Sequence, residues 1–250
     1  NNQTIDAQLG IGLCLYHLQE FNDAVTALRK ILKIDPYQHV AYFYLGLALM
    51  AENNFREAIP NLTQSLLLNP DNSDIYFNLG KSYFETSKII QAREAFNRTI
   101  TIDPQHGPAH YYIGLINENI MEIDKAVHAY AQAQKYSPEI EDVHYRLGML
   151  LYRTGELKKA MEPLRQFIIN QPDDQHVLEV MGEIFISENR FPEAIDTYNR
   201  ILGMYPEKLE TNLALAESYY QLKELENAIY IYQNILLFDD ENYDVMIRIG

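Results

Sequence analysis

Core-facing residues recur along the chain with helical spacing, and the whole pattern repeats every 34 residues. Within each repeat, positions 3, 4, 7, 8, 11 and 14 form one face of a first α-helix. A polar pair at positions 15 and 16 predicts a turn, and an apolar residue at position 17 anchors it. Proline at position 32 predicts the end of a second helix, because the residue before a proline avoids helical backbone. The pattern therefore predicts an all-α chain of antiparallel helix pairs.

Three columns of the repeat carry small or rigid residues. Position 8 is small throughout, at Gly12, Gly46, Gly80, Gly114, Gly148, Gly182, Ala216 and Gly250. Position 20 is alanine in all seven repeats, at Ala24, Ala58, Ala92, Ala126, Ala160, Ala194 and Ala228. Position 32 is proline in six repeats and Asp240 in the seventh. We expect the residue at position 8 and the alanine at position 20 to meet and to set the distance between the two helices, since larger residues would overpack that contact.

The repeat frame divides the chain without an insertion. The predicted repeats, numbered one to seven, are residues 5–38, 39–72, 73–106, 107–140, 141–174, 175–208 and 209–242, and a partial repeat follows at 243–250. The partial repeat has core-type residues in the right columns, so it predicts the start of an eighth pair. We expect one continuous array that belongs to a longer protein, with further repeats or a capping helix after Gly250.

These columns resemble those of the tetratricopeptide repeat family. The match runs from residue 5 to residue 242 and includes Leu or Ile at position 7, a large apolar residue at position 11, and an aromatic residue or Leu at position 24, as in Phe96 and Tyr130. The chain departs from the family at position 4, where tryptophan is common, and at position 11 of repeat four, which is Asn117. The resemblance implies a right-handed α-solenoid superhelix whose first helices line a concave groove that holds a partner.

The first-helix face that turns away from the second helix, at positions 2, 5, 6, 9, 12 and 13, is rich in aromatic residues. Tyrosine and phenylalanine favour protein interfaces because they bury a large area at a small cost in side-chain entropy. Packing of position 5 against the neighbouring repeat is the alternative interpretation. We predict that a protein or peptide segment binds a groove formed by Phe43, Tyr44, Leu47, Met50, Phe77, Asn78, Lys81, Phe84, Tyr111, Tyr112, Leu115, Tyr145, Arg146, Met149, Tyr152, Arg153, Glu179, Glu183, Glu210 and Glu217.

Charge is unevenly distributed along the array. The chain carries 35 acidic and 20 basic residues, which gives a net charge of -15. That balance excludes DNA and RNA as partners, because nucleic-acid modules neutralise phosphates with clustered Lys and Arg. The acid-rich end of the array, in repeats six and seven, would orient a basic portion of a partner. A solvated surface that maintains solubility is the alternative for the acidic residues outside the groove.

Catalysis and metal binding receive no support from the sequence. It contains no phosphate-binding loop, nucleophile elbow or Cys–His constellation, so we predict a non-enzymatic scaffold without cofactors or metals. His110 and His144 share position 4, which favours a packing role. His106 and His110 have the spacing of a helical metal pair but straddle a repeat boundary.

Several alternatives stay open at this point. The array could recruit substrates for a catalytic domain outside residues 1–250, or self-associate through uncapped ends. The dicarboxylate clamp known in the family is not retained, because Asn78 and Arg146 lie two repeats apart and position 5 is never lysine. The apolar runs are too short for membrane insertion. A single cysteine, Cys14, leaves the cytoplasm and the periplasm both open as compartments for a soluble chain.

Overall fold

The computed structural model describes residues 2–239, 242 and 245–247, and this part of the chain is helical throughout, apart from short turns. Residues 245–247 are also helical. The helices are α1 (Asn2–His17), α2 (Phe21–Ile34), α3 (His39–Ala51), α4 (Phe55–Leu68), α5 (Ser73–Glu85), α6 (Ile89–Ile102), α7 (Gly107–Asn119), α8 (Ile123–Tyr136), α9 (Glu141–Arg153), α10 (Leu157–Asn170), α11 (Gln175–Ser187), α12 (Phe191–Met204), α13 (Leu209–Gln221) and α14 (Leu225–Phe238). The all-α prediction is confirmed, and α1–α2 through α13–α14 correspond to the seven predicted pairs. We call the odd-numbered helices A helices and the even-numbered ones B helices.

The chain forms two compact units, Asn1–Pro138 and Glu139–Gly250. The first, here the N-terminal half, contains α1 to α8, and the second, the C-terminal half, contains α9 to α14. Within each half, every A helix packs against its own B helix, and every A helix after the first also packs against the B helix before it. In the N-terminal half, α1 also contacts α3, and α3 contacts α5. The sequence predicts one continuous array, and continuity across the boundary stays a prediction. Most of the partial eighth repeat, like Asp240, lies outside the described residues.

The turn from each A helix to its B helix follows the predicted polar pair. Position 15 adopts a positive φ in every repeat, with Asn53 at 57° and Gly155 at 81°. In repeat two, the amide of Asn54 donates to the carbonyl of Leu49 at 2.8 Å and the amide of Asn53 donates to that of Met50 at 2.9 Å. These two bonds form a Schellman motif, which satisfies carbonyl groups that the helix end leaves without partners. The turn from A helix to B helix therefore has the same left-handed residue in all seven repeats.

The glycine at position 8 makes room for a large side chain from position 24. A Cβ atom added at Gly46 would lie 2.6 Å from Cδ2 of Leu62, and one added at Gly114 would lie 2.5 Å from Cδ1 of Tyr130. The position-20 alanines, including Ala126, are buried as predicted. They are not, however, the partners of the glycines. Position 24 lies one turn further along the same face of the B helix, and its larger side chain reaches across to the A helix.

Candidate functional site

The predicted groove residues fall into two sets, which we treat as separate faces. The N-terminal face consists of Phe43, Tyr44, Leu47, Met50, Phe77, Asn78, Lys81, Phe84, Tyr111, Tyr112 and Leu115, and all eleven are half-buried. The C-terminal face consists of Tyr145, Arg146, Met149, Tyr152, Arg153, Glu179, Glu183, Glu210 and Glu217. In the second set, Arg153, Glu183 and Glu210 are exposed and the others are half-buried. The apolar residues of the N-terminal face are therefore neither fully within the core nor fully solvated.

Tyr112 links repeats three and four on the N-terminal face. Its ring stacks on that of Phe96, with centroids 4.9 Å apart and planes at 11°. It also meets the rings of Phe84 at 5.3 Å and Phe77 at 6.0 Å edge-on. The sequence pattern suggests packing between repeats for position 5. In the structure, Tyr112 at position 6 also makes such contacts. One part of the ring is thus held by the fold and the rest stays accessible.

Tyr44 repeats this arrangement between repeats one and two. Its ring lies 5.2 Å from that of Tyr16 and 5.9 Å from that of His17, both edge-on. Burial raises the pKa of Tyr16, and the neighbouring Tyr44 adds to the shift. Burial likewise raises the pKa of Tyr112, with a further contribution from the charge of Glu85. The hydroxyls of Tyr16 and Tyr112 are protonated at neutral pH like those of other tyrosines, and the raised pKa values extend their role as hydrogen-bond donors to more alkaline pH.

The polar residues of the N-terminal face are partly engaged within their own helix. Nδ2 of Asn78 donates to the carbonyl of Asp74 at 2.7 Å. Nζ of Lys81 lies 5.8 Å from the centroid of the Phe77 ring, at the outer limit of a cation–π contact. The face is accordingly an aromatic surface with one cation beside it, and acidic residues are absent from its eleven members.

On the C-terminal face, Tyr145 is held by its neighbours. Its ring lies 5.2 Å from that of Phe167, and its hydroxyl lies 3.3 Å from Nδ1 of His176. Arg146 forms an ion pair with Asp142, one helical turn earlier. That pairing satisfies part of the Arg146 guanidinium within its own helix, which reduces its availability to a partner.

The acidic end carries less uncompensated charge than the sequence suggests. Glu179 forms an ion pair with Lys208 and accepts a hydrogen bond from Nε2 of Gln175 at 2.6 Å. Partial burial acts to raise the pKa of Glu179, but the bonds from Lys208 and Gln175 outweigh it and lower that pKa. Glu217 accepts a hydrogen bond from Gln221 at 2.8 Å. Lys208 was not among the predicted site residues, and it places an intramolecular cation at the acidic end.

The Glu179–Lys208 pair predicts an acid-dependent loss of stability. The folded-state pKa of Glu179 is lowered, so the pair stabilises the fold above the ordinary carboxyl pKa and is lost as pH falls through the lowered value. Glu179→Gln should cost about 0.5 to 1 kcal/mol at pH 7 and show a shallower decline towards pH 3. Urea unfolding at several pH values measures both. Glu210→Gln, at an exposed position, is the control, and equal pH profiles for Glu179→Gln and the parent would contradict the assignment.

Two histidines, His110 and His144, occupy the packing column at position 4, and a third, His106, caps a helix. His110 and His144 are buried, and Nε2 of His110 lies 3.0 Å from the carbonyl oxygen of Pro104. Nδ1 of His106 accepts a hydrogen bond from the amide of Ala109 at 3.1 Å and caps α7. Within the described residues, no group of three or more His, Cys, Asp or Glu side chains is placed to hold a metal ion.

Two protein-family models match most of the chain. A tetratricopeptide repeat model matches residues 44–107, 122–175 and 180–243, and a second tetratricopeptide repeat model matches residues 6–36. The chain belongs to the tetratricopeptide repeat family. Proteins of this family are generally non-catalytic adaptors, and membership supports a role in protein–protein interaction in general. No curated protein matches the sequence.

Solved structures with a similar fold include three repeat proteins. MamA is 23% identical, with 69% of this chain and 94% of MamA aligned and a TM-score of 0.61. Pseudomonas aeruginosa PilF is 19% identical over 86% of this chain and 98% of PilF, with a TM-score of 0.64. YrrB, described as a TPR protein with an unusual peptide-binding site, is 15% identical over 74% of this chain and 95% of YrrB, with a TM-score of 0.61. At these identities the similarity shows the fold alone.

A membrane-spanning helix requires about 20 predominantly apolar residues. Among the described residues, every helix falls short of the length and apolarity needed to cross a bilayer.

Proposed function

We propose that the protein is a non-enzymatic scaffold that binds an extended segment of a partner on its N-terminal face, within a multiprotein assembly. The observation that carries this proposal is the uniform half-burial of the eleven residues of that face. Each aromatic ring there keeps accessible area that a partner would cover. Burying such area is favourable in proportion to the apolar surface removed from water.

The rings are also held in place before any partner arrives. Stacking of Tyr112 on the fully buried Phe96 limits the motion of the tyrosine ring. Tyr111 meets Tyr112 edge-on at 5.5 Å, so the order extends to the neighbouring side chain. A partner therefore loses less free energy to the ordering of side chains when it binds such a surface.

The fold neighbours and the charge support a peptide-like partner. YrrB, which shares the fold, is described as having a peptide-binding site. The exposed carboxylates of Glu183 and Glu210 on the C-terminal face suit a basic portion of a partner. Apolar and aromatic side chains would be the anchors on the N-terminal face. We propose the N-terminal face and the C-terminal face as two separate binding surfaces.

Peptides selected from a random phage-displayed library against the full chain test this function. Tyr111→Ala should raise the dissociation constant of the selected peptides about 30-fold, since truncating a central aromatic anchor commonly costs about 2 kcal/mol. Tyr37→Ala is the matched control, because Tyr37 is 78% exposed and lies outside the A helices. Fluorescence anisotropy measures the affinities. Equal affinities for Tyr111→Ala and the parent would rule out the N-terminal face as the site.

A further inference from the structure

The ring of Tyr198, from α12, packs against the backbone of α11 at Gly182. A Cβ atom added at Gly182 would lie 2.6 Å from Cε1 and 2.9 Å from the hydroxyl oxygen of Tyr198. The phenol end therefore lies against the α11 backbone, beside Glu183 in sequence and one turn from Glu179. Burial, and after it the charges of Glu183 and Glu179, raise the pKa of Tyr198. The Tyr198 hydroxyl is therefore close enough to these two carboxylates of the C-terminal face for their charges to act on it.

The Tyr198 hydroxyl has a donor and an acceptor to satisfy. Tyr198 is only 3% exposed, and among the described residues its hydroxyl forms no hydrogen bond. In repeat four, the equivalent Tyr130 hydroxyl donates to Oε2 of Glu118 at 2.6 Å. The Tyr198 hydroxyl has no such acceptor within the described part of the protein. The Tyr198 hydroxyl is not among the buried unpartnered atoms of the described residues, so it keeps access to solvent and is open to a ligand.

Glu183 provides a charge beside this hydroxyl. The Tyr152 hydroxyl, from α9, donates a hydrogen bond to Oε2 of Glu183. This bond, then burial and the Glu183 charge, raise the pKa of Tyr152 to about 12, so Tyr152 stays a neutral donor. Within the part of the chain that the structure describes, Glu183 has no cationic partner. Glu183 therefore presents an exposed carboxylate that Tyr152 holds by a hydrogen bond, and the Tyr198 side chain lies near it.

The ion pair between Glu179 and Lys208 leaves the charge of the neighbouring Glu183 without a cation from the described residues. Glu179 is already neutralised by Lys208, and their side chains are only 28% and 23% exposed. His176 is the other basic side chain whose charge would act on Glu179. Glu183 is left as the uncompensated charge at this point, and a single cation would balance it. The neighbouring pair shows that Glu179, one turn earlier on α11, already holds a positively charged side chain of this protein.

We infer that Glu183, Tyr152 and Tyr198 form a subsite for one arginine side chain of the partner segment. The guanidinium donates to the Glu183 carboxylate and to the Tyr198 hydroxyl oxygen, and its plane packs on the Tyr152 ring. Arginine fits better than lysine, because its planar fork donates several hydrogen bonds at once and stacks on aromatic rings. The inference rests on the proposed function and specifies one residue of the partner.

The peptide acetyl-Gly-Arg-Gly-amide is the probe, and acetyl-Gly-citrulline-Gly-amide is its uncharged counterpart. NMR of the full chain with ¹³C-labelled tyrosine follows the Cζ signals of Tyr152 and Tyr198, which are assigned with Tyr152→Phe and Tyr198→Phe. The arginine peptide should shift both signals in a saturable way, whereas the citrulline peptide should not. Glu183→Gln should weaken the arginine peptide about tenfold or more, as expected for the loss of a charged hydrogen-bond acceptor.

Asp196→Asn is the matched control, since it removes an exposed acid of α12 that lies outside the C-terminal face, and it should leave the arginine peptide unaffected. Equal shifts with arginine and citrulline, or no shift with either, would overturn the subsite. Equal binding of acetyl-Gly-Lys-Gly-amide would overturn the arginine preference. Failure here is separable from failure of the scaffold function, because Tyr111→Ala tests the N-terminal face with a different ligand. An intact Tyr111 effect without arginine shifts would remove the subsite alone.

Discussion

Replacing Phe96 with alanine should lower the free energy of unfolding by about 3 to 5 kcal/mol, the cost of truncating a buried aromatic residue. Phe96 is fully buried in α6 and lies against Gly80, where a Cβ atom would come within 2.6 Å of its ring. Glycine offers no side chain to refill the space, so a cavity would remain. Loss of the ring also removes the stacking partner of Tyr112. Urea unfolding followed by circular dichroism measures the change.

Phe96→Leu is the matched variant. Position 24 is leucine in repeats one, two and five, where Leu28, Leu62 and Leu164 lie against their own glycines. The leucine variant should therefore keep much of the stability that the alanine variant loses. Tyr37→Ala, at an exposed position, should change stability by about 0.5 kcal/mol or less. Equal losses for the alanine and leucine variants would contradict the role given to the volume of this side chain.

Replacing Gly114 with valine should lower the free energy of unfolding by about 1 to 3 kcal/mol through overpacking. Its Cβ atom would lie 2.5 Å from both Cδ1 and Cε1 of the fully buried Tyr130. The ring has to move, and with it the hydrogen bond from Tyr130 to Glu118. Gly203→Val is the control in α12, because a Cβ atom there meets nothing within 4 Å. Thermal or urea unfolding compares the two variants.

A double-mutant cycle tests whether Tyr130 causes the loss. If the valine is costly because it meets the Tyr130 ring, then Gly114→Val should cost less in a Tyr130→Ala background than in the parent. Additive losses would show that the two residues do not interact. A Gly203→Val variant as unstable as Gly114→Val would also contradict the close approach of helix and ring.

Much of the fold follows from local sequence. The helix pairs and the left-handed residue at position 15 are set by short-range periodicity and turn chemistry, which the repeat displays seven times. The partner of each glycine could not be read in the same way. Positions 20 and 24 occupy the same face of the B helix, one turn apart, so periodicity alone gives both the same status. Only the packed register shows that Tyr130, and not Ala126, lies over Gly114.

The candidate site, too, could be predicted from the sequence only in part. Helical spacing places Tyr112 and Glu179 on the outward face of their A helices, and the structure leaves both half-buried on that face. Their contacts join different repeats, as between Glu179 and Lys208 or between Tyr152 and Glu183. Such contacts depend on how one repeat stacks on the next, which the spacing within a repeat does not specify. Pairing residues close to one repeat length apart would have been the available signal.

The most direct measurement is photo-crosslinking of a library-selected peptide that carries a benzophenone side chain, followed by mass spectrometry of the crosslinked residues. Binding on the N-terminal face predicts crosslinks to α3, α5 and α7, at or beside Phe43, Phe77 and Tyr111. Tyr111→Ala should reduce their yield, and Tyr37→Ala should not. Crosslinks confined to α4, α6 and α8, and unaffected by Tyr111→Ala, would contradict partner binding on the A-helix face.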